Sequence, residues 1–269
     1  MSARQKRSIA DRALGIEPLR WQLDPAAFFE AAVGPADEWQ KRVLRSTEKR
    51  RLLLASRQSG KSQTCAILAL HKALYTPGSL VLCIAPALRQ AQELTHKVFT
   101  AYRDLRLSGM RPARAENKLS LELENGSRII TLPGTEKTIR GYSKAGLVLI
   151  DEAARVEDEL FHAVTPMLAV SGGTIVLLST PYGKQGVFYE AWANGGDQWE
   201  RYSVTAHEVS RITPAFLEEQ RRTLPDYVFR QEYECSFEAT EDQIFTEEMV
   251  RGALDETIEP LAQLEAMTW

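Results

Sequence analysis

Cysteine is scarce in this chain: Cys65, Cys83 and Cys235 are three in 269 residues and form no C-x-x-C pair. An odd, scattered set excludes a disulfide framework and a thiolate zinc site, and predicts a reducing compartment. Sixteen glycines and twelve prolines are too few for a collagen-like or low-complexity chain. Long apolar runs are missing as well: stretches such as 52–55 and 65–70 stop far short of the roughly 18 residues of a membrane helix. No charged start leads into an apolar stretch and a small-residue cleavage site, so the sequence predicts a protein that stays where it is made, with no membrane partner. Nor is there an excess of positive charge, since the formal net charge is -3; any nucleic-acid contact has to be local. One basic stretch exists between residues 103 and 118, where Arg103, Arg106, Arg111, Arg114 and Lys118 outnumber Asp104 and Glu116. From residue 234 to residue 265 the balance reverses, with ten acidic residues against Arg251 alone.

What is present is a core-forming chain, 44% apolar, without internal repeats. Four short apolar runs, residues 51–56, 80–85, 147–150 and 174–179, are bounded by Gly, Pro or polar residues and predict strands buried on both faces. Between them lie helical patterns. The clearest covers residues 87–107, where Leu88, Ala91, Leu94, Val98, Tyr102 and Leu105 recur every three or four residues and Pro86 suits the first turn. Strands alternating with helices predict an α/β fold with a mostly parallel central sheet flanked by helices. A β-hairpin is expected as an insertion, with residues 118–124 alternating, Asn125-Gly126 as a two-residue turn and residues 127–132 returning. Residues 1–36 read as a helical extension, 37–181 as the core, 182–245 as a small aromatic-rich lid subdomain with a strand near 199–204, and 246–269 as a tail.

The sharpest chemical signal is Ala55-Ser56-Arg57-Gln58-Ser59-Gly60-Lys61-Ser62, which follows a predicted buried strand and opens an amphipathic helix. That is the context of a phosphate-binding loop. Backbone N–H groups of Arg57, Gln58, Ser59 and Gly60 can wrap a phosphate, the helix N-terminus adds a favourable dipole, Lys61 neutralises β- and γ-oxygens, and the Ser62 hydroxyl can hold Mg²⁺. Ninety residues later the run 147–150 ends in Asp151-Glu152, two carboxylates delivered to the carboxyl edge of the sheet, where open α/β sheets bind ligands. Asp151 is expected to hold Mg²⁺, and Glu152 to polarise an attacking water, which argues for hydrolysis. A third run ends in Ser179-Thr180-Pro181, whose Thr180 hydroxyl is expected beside the γ-phosphate. His71, His96, His162 and His207 lack metal-ligand spacing.

In order and spacing these pieces resemble the ATPase domain of the large terminase subunit of tailed bacteriophages. The resemblance runs from about residue 37 to about 245 and includes Trp39-Gln40, the loop 56–62, Asn125-Gly126-Ser127-Arg128-Ile129, Thr138-Ile139-Arg140-Gly141, Asp151-Glu152-Ala153-Ala154, Ser179-Thr180-Pro181 and Phe229-Arg230-Gln231-Glu232-Tyr233. It implies a P-loop NTPase of the additional-strand, catalytic-glutamate type, and a motor that hydrolyses ATP with Mg²⁺ to move double-stranded DNA into a procapsid. By the same likeness Gln40 is the residue that reads adenine. Arg57 couples hydrolysis to movement, and Arg140 is an arginine finger offered to a neighbouring subunit's ATP, though it can equally contact DNA or brace the adjacent strand. Arg111, Arg114 and Arg128 are the candidate DNA contacts. The implied partners are a homo-oligomeric ring, a portal protein and a small terminase subunit, and the implied location is the host cytoplasm.

Only 24 residues follow Phe245, too few for the ribonuclease H-type nuclease of full-length large terminases, so nuclease activity is not expected in this chain. Glu247, Glu248, Asp255 and Glu256 read as a solvated helix face rather than a metal site. Two other readings stay open at this point: a helicase-like translocase, which usually needs two such cores in one chain, and a nucleotide-controlled assembly module that hydrolyses negligibly.

Overall fold

The computed structural model describes residues 16–106, 113–134, 139 and 141–238. Arg111, Arg140 and the tail 246–269 lie outside the described residues, as does the side chain of Arg106. The strands are β1 (Arg50–Ala55), β2 (Leu80–Ala85), β3 (Ala115–Asn117), β4 (Ser120–Glu122), β5 (Arg128–Pro133), β6 (Leu147–Asp151), β7 (Thr174–Ser179) and β8 (Glu200–Val204). The helices are α1 (Ile16–Leu23), α2 (Pro25–Ala32), α3 (Glu38–Arg45), α4 (Lys61–Tyr75), α5 (Leu88–Arg106), α6 (Asp158–Ser171), α7 (Gly186–Ala193), α8 (Pro214–Thr223) and α9 (Asp226–Tyr233).

All eight strands form one sheet in the order β3-β4-β5-β2-β6-β7-β1-β8. From β5 to β8 every neighbouring pair is parallel. The runs at 80–85 and 174–179 become strands with the expected ends, and β7 lies between β1 and β6, which is the additional strand between the loop-bearing strand and the strand that ends in Asp151. Side chains alternate between two apolar layers. Leu53, Val81, Cys83, Leu149, Val176 and Leu178 pack with α2, α3, α4 and α5. Leu52, Leu54, Leu82, Ile84, Val148, Ile150 and Leu177 face the other way, toward α6 and α7. Helices therefore cover both faces, as purely parallel strands require.

α5 buries Ala91, Leu94, Val98, Tyr102 and Leu105 as its spacing predicts, but Leu88 at its start is half exposed. The hairpin differs in two respects from its expected form. Gly126 N donates to Leu123 O at 3.0 Å, and Leu123 N to Ser127 O at 2.9 Å, so the loop has three residues, Glu124, Asn125 and Gly126, rather than two. Gly126 takes φ of 80°, the left-handed position that closes such loops. Its returning strand β5 also pairs in parallel with β2 over residues 128–133, so it is part of the parallel sheet, and only β3 and β4 extend it antiparallel. The strand expected near 199–204 forms as β8, the edge strand beside β1.

The first helices are built into the core. Asp24 caps α2 by accepting the Ala26 N–H and binds Arg45 through two hydrogen bonds, while Trp21, Phe28 and Phe29 are buried.

Candidate functional site

Three adjacent strands, β1, β7 and β6, end at the same edge of the sheet, and each delivers one group of the site. β1 runs into a loop in which Gln58 (φ 56°) and Gly60 (φ 96°) take left-handed conformations, after which α4 begins at Lys61. Alternation of this kind turns successive backbone N–H groups toward one concavity. Only glycine takes the Gly60 conformation without strain, and a Cβ there would also meet Arg211 Nη2 at 3.1 Å and Gln40 Nε2 at 3.2 Å.

Lys61, buried at the start of α4, holds its Nζ 3.0 Å from Glu152 Oε1. The other carboxylate oxygen, Oε2, accepts a long hydrogen bond of 3.4 Å from the Thr180 hydroxyl, just after β7. Lys61, Thr180 and Glu152 are thus brought together from the ends of β1, β7 and β6. Glu152 itself is left-handed, with φ of 52° and ψ of 43°, a conformation that costs a residue with a Cβ about 1–2 kcal/mol. The turn that enforces it is closed by Arg155 N to Glu152 O and by Ala154 N to the Ser179 hydroxyl.

Asp151 is buried at the end of β6. Burial first, and the adjacent Glu152 charge second, push its carboxyl above its ordinary value, against a lowering hydrogen bond from the Ser62 hydroxyl and the Lys61 charge. The Ser62 hydroxyl and the Asp151 carboxylate are oxygen donors of the kind that would hold a Mg²⁺ ion. Among the described residues no three His, Cys, Asp or Glu side chains group as a metal cluster.

Gln40 is almost wholly buried. Its amide oxygen accepts the Asp37 N–H at 2.9 Å and its amide nitrogen donates to the Thr64 hydroxyl at 3.1 Å. It stands next to the loop, near Gly60, and each end of its amide has one further hydrogen-bonding site beyond these two bonds. Arg57 is exposed and reaches the other way, with Nε 3.2 Å from Glu232 Oε2, while its backbone N–H donates to Glu232 O at 2.9 Å. The loop is thereby tied to α9.

Of the basic residues, Arg114 pairs with Glu122 at 3.4 Å and Arg103 with Glu116 at 3.8 Å. Arg128 is exposed at the start of β5, in register with Glu122 across the hairpin.

Two residues of the site escaped the sequence reading. Arg211 donates from Nη2 to Ser59 O at 2.8 Å and places Nη1 3.1 Å from Asp37 Oδ2. Asp37, buried just before α3, also accepts the Ser210 hydroxyl. The pair Asp37 and Gln40, three apart at a helix start, has capping-box spacing and was a readable signal for Asp37; Arg211 sits in a short polar segment with no pattern.

The chain matches the family model described as the N-terminal part of the terminase large subunit, T4likevirus-type, over residues 52–251. It is 28% identical over 255 residues to the terminase large subunit of Thermus virus P23-45, covering 81% of this chain and 52% of that relative. The chain spans about half the length of that relative. The structure resembles the large terminase ATPase domain of Thermus phage P74-26 with a TM-score of 0.68 and 25% identity, over 78% of this chain and 97% of that one. The large terminase of another thermophilic bacteriophage, solved in complex with ADP, shares the fold at a TM-score of 0.61 and 13% identity, over 75% of this chain and 54% of that one.

Proposed function

The chain belongs to the family of terminase large subunits, and from that premise we propose that it hydrolyses ATP to drive double-stranded viral DNA into a procapsid. The observation that carries this reading is the convergence of Lys61, Thr180 and Glu152 from three neighbouring strand ends beside the Ser62–Asp151 pair. The backbone N–H groups of residues 57–60 and the Lys61 ammonium hold the phosphates. Ser62 and Asp151 would hold Mg²⁺, which would supply positive charge to offset that of the phosphates. Glu152 takes the proton of the attacking water, and Thr180 holds the carboxylate from its far side. Gln40 contributes to nucleotide binding beside Gly60, and Arg57, through Glu232, links the loop to α9.

Arg140, outside the described residues, is proposed as the group that completes a neighbouring copy's site. A ring of copies, a portal protein and a small terminase subunit are the proposed partners, and the host cytoplasm the proposed location. Among the described residues no helix is long and apolar enough to cross a membrane. Arg111, Arg114 and Arg128 are the proposed DNA contacts.

The test is ATP turnover per subunit over a protein concentration series, with Glu152→Gln as the control for contaminating activity. Turnover above the control supports hydrolysis, and a rise with concentration supports completion of the site by neighbours. Turnover no higher than the control overturns the proposed hydrolysis.

A further inference from the structure

The phosphate-binding loop is held from outside through Arg211 and Asp37, two residues that the proposed chemistry does not use. Arg211 lies between β8 and α8, about 150 residues after the loop, and its guanidinium bridges two groups: the Ser59 carbonyl, 2.8 Å from Nη2, and the Asp37 carboxylate, 3.1 Å from Nη1. Asp37 is a firm anchor, with a side chain only 6% exposed, a hydrogen bond from the Ser210 hydroxyl and a backbone N–H held by Gln40. Gln40 in turn reaches Thr64 on the first turn of α4. Two arms therefore run from Asp37, one to the loop and one to the helix that the loop opens.

The arm through Arg211 has a geometric consequence. In a trans peptide the C=O and the next N–H point in opposite directions, and the structure contains no cis peptide bond among its described residues. With the Ser59 carbonyl turned outward to the guanidinium, the Gly60 N–H of the same peptide is turned to the opposite side, away from Arg211. This is the N–H that a phosphate held by the loop needs. Gly60 is left-handed and free to rotate this peptide; a charge-assisted bond on its carbonyl opposes that rotation.

We propose that Arg211 is a positioning residue for nucleotide binding, one that fixes the Ser59–Gly60 peptide in its phosphate-accepting orientation and is itself fixed by Asp37. This rests on the reading of the loop as a nucleotide site. It predicts a specific division of effects. Arg211→Ala weakens binding of ADP about tenfold, the loss of one charge-assisted hydrogen bond, and raises KM for ATP correspondingly, while kcat stays within about twofold because neither Glu152 nor Lys61 is touched. Arg211→Lys recovers only part of the affinity, since an ammonium cannot bridge both partners as a planar guanidinium does. Asp37→Asn lowers affinity too, and adding it to Arg211→Ala costs less than the sum of the two.

The experiment is a titration of the whole chain with ADP and Mg²⁺ by calorimetry, alongside ATP turnover, for the wild type, both Arg211 variants, Asp37→Asn and the double variant. Thermal unfolding verifies that each is folded. The expected result is a selective loss of affinity, partly restored by Lys and non-additive with Asp37→Asn. Wild-type affinity in a folded Arg211→Ala protein, or an equal fall in kcat and affinity, overturns the proposal. If the wild type itself binds no ADP, the nucleotide-site reading fails and this inference falls with it, an outcome distinct from the first.

Discussion

The Lys61 ammonium sits 3.0 Å from Glu152 Oε1, spanning β7 to join the loop after β1 to the turn after β6. The residue proposed to hold phosphate and the residue proposed to activate water are each other's counter-charge. A phosphate placed against Lys61 has to compete with Glu152, and a carboxylate displaced from Lys61 is free to face water. With the proposed roles, nucleotide binding and readiness of the base would be coupled through this ion pair.

Glu152→Gln is therefore expected to do two things at once. Turnover falls by about 10²-fold or more with loss of the base, while affinity for ADP rises a few-fold because Lys61 no longer has a competing carboxylate. Calorimetric titration beside a turnover assay tests this; binding weaker than wild type contradicts the competition.

Gly60→Ala combines backbone strain at φ 96° with close approach to Arg211 and Gln40. Such a residue costs about 1–3 kcal/mol. Thermal unfolding is expected to shift down and nucleotide binding to be lost; a variant as stable as wild type that binds ADP normally contradicts the loop geometry.

His71 gives a pH signature remote from the site. Its Nε2 lies 3.0 Å from Trp21 O, its ring packs edge-on with Phe28 and against Tyr75, and burial pushes it below its ordinary value. The folded protein keeps it neutral where the unfolded chain, with a value of about 6.5, takes up a proton. Stability should rise with pH from the lowered folded value up to about 6.5 and gain nothing further from this group above it. Denaturant unfolding at several pH values reads this slope, which His71→Gln should flatten; an unchanged slope contradicts the assignment.

On the hairpin, Arg114 is already paired with Glu122, and Arg128 shows no ion pair among the described residues. Arg128→Ala is expected to lower affinity for duplex DNA and to reduce the salt slope by about one. Glu122→Gln, which frees Arg114, should strengthen binding. A DNA titration over a salt series decides, and unchanged affinity in both variants contradicts DNA contact through this face.

Elements whose signals are local were readable in the sequence. Residues 80–85 and 174–179 are apolar on both faces with breakers at each end, so their strands could be placed with their ends. The Gly60-Lys61-Ser62 segment and the Asp151-Glu152 pair announce themselves through residue type and the strands before them. What was not readable depends on pairing between distant segments. Nothing in residues 127–132 says that they also pair in parallel with β2, nor in 199–204 that they border β1. The hairpin loop is one residue longer than Asn-Gly predicts, because Leu123 bonds to both Gly126 and Ser127 and leaves Glu124 in the loop. Arg211 was invisible for a similar reason: its partners, Ser59 and Asp37, lie more than 150 residues away.

The outward supports of the loop have a bearing on synthesis. Ser56 N bonds to Val204 O, Ser59 O is held by Arg211, and Arg57 N bonds to Glu232 O. A growing chain emerges N-terminal end first, so the loop leaves the ribosome well before any of these three partners exists. Competence to bind nucleotide should arrive late, after residue 232 is free, and a nascent chain halted near residue 195 would carry the whole phosphate-binding motif without the contacts that shape it.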